Sequence, residues 1–83
     1  MSATMRRTKS AYDRASMSAT LASIDAWEHD DPALYGEERR QRYHRHASEL
    51  HAIAAALAES FGWNELASIH REKAKTHANL AQP

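Results

Sequence analysis

The sequence predicts an all-α fold: a three-helix bundle, or a long antiparallel helical hairpin with a third packed helix. Three observations carry this. Seventeen of the 83 residues are alanine and none is valine. Alanine is the strongest helix former, whereas valine favours strands. Only two glycines and two prolines interrupt the chain, and between them apolar residues recur at steps of three and four, the helical period.

Residues 1–9 read as a flexible basic tail, and residues 10–83 as a single helical domain. Ser10 followed by Asp13 fits a capping box, in which each side chain satisfies a free backbone N–H of the first turn. A helix over about residues 11–29 follows, with Tyr12, Met17, Leu21, Ile24 and Trp27 as its apolar positions and Ala15, Ala19, Ala22 and Ala26 nearby. Asp31 suits the cap of the next helix and Pro32 its first position, where no backbone N–H is needed. That second helix extends over about residues 32–60, with Gly36 bending or delaying its start. Tyr43, Ala47, Leu50, Ala54, Leu57 and Phe61 form a regular seam along it. Gly62 supplies the left-handed residue that ends it, and Asn64 suits the next cap. A third helix over about residues 64–81 presents Trp63, Leu66, Ala67, Ala74, Ala78 and Ala81, with His70 and His77 in the middle of that face.

Composition narrows the function. With no cysteine, disulfides, thiolate metal sites and cysteine nucleophiles are absent. No apolar run approaches the roughly 18 residues that span a bilayer, so a cytoplasmic protein without membrane contact is expected. Leucine, isoleucine and phenylalanine together number ten. Each supplies roughly 1.5–3 kcal/mol when fully buried, against about 1.5 kcal/mol of entropy for every ordered residue. So thin a core points to association, with a second copy or with another protein. The net charge is zero but segregated: +3 over residues 1–20, −6 over 21–38 and +4 over 39–45. Such blocks suit self-complementary packing or a patterned partner surface.

The densest chemistry is RRQRYHRHASELH, Arg39 to His51. At about 100° per residue, Tyr43, Ala47 and Leu50 face a core. Arg40, His44 and His51 then form one flanking stripe, and Arg42, Arg45 and Glu49 the other. Zinc needs three or four ligands at one point. His44 and His51 stand two turns apart, about 10 Å, too far for one ion; His70 and His77 repeat the problem. The one candidate metal set is His46, Glu49 and His77, brought together if the chain folds back about Gly62. Against it stands the reading of these histidines as hydrogen-bonded or partly exposed. No cofactor is expected. His70 and His77 also suggest a pH-sensitive interface, beside the simpler reading that they bond to backbone or water.

Nothing in the sequence places a nucleophile, a base and an orienting group together, so catalysis is not expected. The favoured reading is a small protein-binding module, a regulator, adaptor or inhibitor, self-associating as a dimer and of the kind phages and mobile elements encode. Its contact residues would be Trp27, Tyr35, Arg40, Arg42, Arg45 and Trp63, since tryptophan, tyrosine and arginine are enriched at binding hot spots. The alternative is a nucleic-acid-binding dimer that presents Arg40, Arg42 and Arg45 to phosphates.

Overall fold

A computed structural model describes the backbone of residues 3–83 and the side chains of residues 9–83. The fold is all-α: α1 spans Ala3–Glu28, α2 Pro32–Tyr35, α3 Glu37–Ser60 and α4 Asn64–Leu80. Helix α1 starts well before the expected capping box, so residues 3–9, read as a tail, are helical. No glycine or proline stands in that stretch to stop the helix, and Ser10 and Asp13 lie inside it. Met1 and Ser2, the rest of the expected tail, lie outside the described residues.

The turns follow local chemistry. The Ala33 N–H donates to Asp31 Oδ1 at 2.9 Å, the cap expected of Asp31. Gly36, at φ 86°, divides the expected second helix into α2 and α3. Gly62, at φ 79°, terminates α3 in the left-handed region. The Trp63 N–H then donates to the Ala58 carbonyl at 2.9 Å. This turns the chain one residue early, so Trp63 takes the cap position and Asn64 becomes the first helical residue. A Cβ at Gly62 meets nothing within 4 Å. Gly62→Ala should therefore cost about 1 kcal/mol through backbone conformation alone, lowering the melting temperature by roughly 4–8 °C. Circular dichroism melting checks this, and an unchanged midpoint would contradict the left-handed turn.

Helix α3 packs against both α1 and α4. Among the described residues, no Cα atoms of α1 and α4 approach within 8 Å, so these two helices meet only through side chains. The body is elongated, 51 × 17 × 13 Å. Its apolar interior is two small clusters. Tyr12, Ala58 and Ala67 pack with Leu57, Phe61 and Trp63 near the α3–α4 turn, and Ala22, Ala26 and Ala47 pack with Tyr43 and Leu50 further along.

Tyr12 is buried as expected, but the middle of the face expected of helix α1 is turned outward. Ala19, Ala22 and Ala26 are buried, while Met17, Leu21 and Ile24 are 62%, 55% and 48% exposed. Both sets repeat at three and four, so periodicity alone does not choose between them. The choice follows from what α3 and α4 bring to the interior. Their rings are bulky, and only alanine leaves room for rings between close helices.

Candidate functional site

The fully buried side chains of greatest volume are not hydrocarbons but histidines: His44, His51 and His77. His70 is buried with them. His44 and His51 stand two turns apart on α3, and His70 and His77 two turns apart on α4. Each pair therefore holds one face of its helix. Antiparallel packing makes two rungs. His44 Nδ1 meets His77 Nδ1 at 2.8 Å, and His51 Nδ1 meets His70 Nδ1 at 2.9 Å. The rungs stack through His51 and His77, whose ring planes lie 6° apart at 6.0 Å. His44 and His51 are thus the interior of the fold, which corrects their placement on a flanking stripe. They pack against α4 while Tyr43 and Leu50 pack against α1, so α3 has two inner faces instead of one seam.

Helix α1 and the segment after it terminate both rungs. The Asp30 carboxylate lies 2.7 Å from His44 Nε2, Ser23 Oγ lies 2.7 Å from His77 Nε2, and the Tyr12 hydroxyl lies 3.0 Å from His70 Nε2. A carboxylate only accepts, so His44 donates from Nε2, and neutral His44 must accept at Nδ1. His77 then donates from Nδ1 and accepts the Ser23 hydroxyl at Nε2. Every group on this rung is satisfied with neutral imidazoles. The other rung is not closed, because His51 Nε2 is buried with no partner. Each Nδ1–Nδ1 contact holds a single proton. Two cationic rings on one rung would set N–H against N–H and break it.

Burial sets the acid–base character. It pushes His51 down to about 4, helped by the neighbouring His70, Lys73 and His77. Burial also lowers His70, with Lys73 contributing, and lowers His77, with His44 and Lys73 contributing and Asp30 opposing. Asp30 is held below the usual carboxylate range chiefly by the hydrogen bond from His44, and further by Arg40, against some desolvation. His51, His70 and His77 therefore stay neutral to lower pH than free histidine does.

The expected contact residues meet different fates. Trp27 is half exposed but lays its ring against His44 and His77, at 5.1 and 5.3 Å, as a cover over one rung. Trp63 packs edge-on to Tyr12 and Phe61 and closes the end near the turn. Tyr35 leans on His29 at 4.7 Å. Arg40 is engaged within the chain. It donates to Glu37 at 2.7 and 3.1 Å and to Asp30 at 3.4 Å, which ties it to the outer end of the ladder. Arg42 and Arg45 remain exposed. Arg42 lines a groove with Arg39, Tyr43 and His46 along α3.

The expected metal set does not converge. The register seats His77 on His44, inside, while His46 and Glu49 are exposed. Among the described residues, no three histidine, aspartate or glutamate side chains are grouped to hold a metal ion. A sequence signal for the ladder did exist. His51 and His44 lie nine and sixteen residues before Ser60, and His70 and His77 nine and sixteen after Phe61. Histidines matched about a tight turn between antiparallel helices fall side by side.

No family model, curated protein or solved structure matches this chain. Among the described residues, no helix is long and apolar enough to cross a membrane.

Proposed function

We propose that this chain is a non-catalytic three-helix bundle that works by binding another protein, as a regulator, adaptor or inhibitor. One observation carries the reading: many of the large aliphatic side chains are on the outside, although Leu50 and Leu57 pack inward. Met17, Leu21 and Ile24 line the outer side of α1, and Ile53, Leu66 and Ile69 are also exposed, while alanine and histidine fill the interior. Exposed apolar side chains at helical spacing are how a helix face docks onto a protein surface. The ladder supports the reading by fixing the register of α1, α3 and α4 through directional bonds, which holds the outer stripe rigid.

The test is affinity co-purification from native cells, nuclease-treated, at low and high salt, with the chain and with its Leu21→Asp variant. The expected result is a stoichiometric protein that survives high salt and is lost with Leu21→Asp, since burying an unpaired carboxylate at an apolar contact is costly. A nucleic-acid signal before nuclease treatment, lost at high salt and insensitive to Leu21→Asp, would instead favour phosphate binding by the exposed Arg42 and Arg45.

A further inference from the structure

We infer that the stripe on α1 docks onto the same stripe of a second copy of this chain, with the two helices antiparallel. The inference rests on the reading of the α1 stripe as a docking face and gives that face to a second copy in place of a different protein. Arg14, Met17, Leu21, Ile24 and Glu28 follow one another at steps of three and four, the spacing of a seam between two helices. All five are exposed. The apolar residues occupy the middle of the seam, with a cation at its N-terminal end and an anion at its C-terminal end. The flanking charge runs the same way. Lys9 and Arg14 outnumber Asp13 in the first part of the described surface of α1, and Asp25 and Glu28 stand near its end.

This polarity selects the orientation. A parallel copy sets Arg14 against Arg14 and Glu28 against Glu28, two repulsive contacts. An antiparallel copy sets Arg14 of each protomer towards Glu28 of the other, two attractive contacts about one two-fold axis. The seam is self-complementary in that sense alone. The ladder is unaffected by docking, since its α1 members Tyr12 and Ser23 lie on the side facing α3 and α4.

Sedimentation equilibrium of the purified full chain tests this. The chain should be a concentration-dependent dimer, and Leu21→Asp a monomer with unchanged helicity. Arg14→Glu alone and Glu28→Arg alone each turn two attractive contacts into repulsive ones, so each should weaken the dimer about tenfold. The double variant Arg14→Glu/Glu28→Arg should restore it. A monomer at every concentration would overturn the inference while leaving the binding of a different protein intact. A dimer that resists Leu21→Asp, or charge variants without loss and recovery, would also overturn it.

Discussion

Acidification from pH 6.5 towards 4 is expected to destabilise this protein, with most of the loss occurring inside that window. Well above 6.5, His51, His70 and His77 are neutral in both the folded and the unfolded chain, and they contribute no pH dependence. Below it, the unfolded chain takes up protons that the fold refuses, because burial has lowered His51 to about 4 and has lowered His70 and His77 as well. Stability therefore falls as pH falls, and the loss from His51 levels off near its own lowered value. For His51 alone, moving from 6.5 to about 4 amounts to about 3 kcal/mol. Domains of this size are stable by only about 4–12 kcal/mol, so this loss is a large fraction of the total, and His70 and His77 act in the same direction. Asp30 acts separately and lower. Its pKa is depressed by His44, so its contribution persists through this window and is lost only as pH drops below 3.8. Melting temperatures from circular dichroism, taken stepwise across the window, check the expectation. A flat profile would mean that these histidines are not buried as neutral rings.

The second large effect concerns the rung that ends without a partner. His70→Leu removes one imidazole that bonds to both His51 Nδ1 and the Tyr12 hydroxyl. Both groups stay buried, and each orphaned group costs about 1–3 kcal/mol. A loss of about 2–5 kcal/mol is expected, enough to leave the chain partly unfolded at room temperature. Removing all three polar members together should behave differently. Tyr12→Phe/His51→Leu/His70→Leu abolishes the orphaned groups, including the unpartnered His51 Nε2. Apolar groups of similar shape in place of a buried polar set are near neutral or stabilising. The triple variant should recover most of the stability at neutral pH and lose most of its acid sensitivity. Urea titration of both variants at two pH values is the measurement. A triple variant weaker than His70→Leu would show that packing of the rings, and not their hydrogen bonds, holds this end together.

These two results separate what the ladder does from what the α1 stripe does. The ladder sets stability, register and acid response. The stripe is the surface we propose for a partner, and its variants should leave the acid profile untouched. That independence follows from geometry, since Leu21 and its neighbours point away from α3 while Ser23 and Tyr12 point inward.

Much of the secondary structure was legible because it depends on local chemistry. Alanine content and the absence of valine dictate helix, Asp31 and Pro32 start α2, and Gly62 ends α3, each through bonds and torsions within a few residues. The seam on α3 was legible in part: Ala47 and Ala54 are buried, and Tyr43, Leu50 and Leu57 are partly so. The interior was not legible from one helix at a time. On α1, alanines and large apolar residues form two stripes of equal periodicity, and hydrophobicity favours the wrong one. On α3, His44 and His51 look like surface residues because a lone imidazole is costly to bury. The cost is offset only when α4 supplies His77 and His70 at hydrogen-bonding distance, and α1 with the segment that follows it supplies Asp30, Ser23 and Tyr12. The sequence by itself thus determined the helices and their ends. Only the tertiary structure decided which face of each helix is inside, because a buried polar group is acceptable or prohibitive according to partners that lie on other helices.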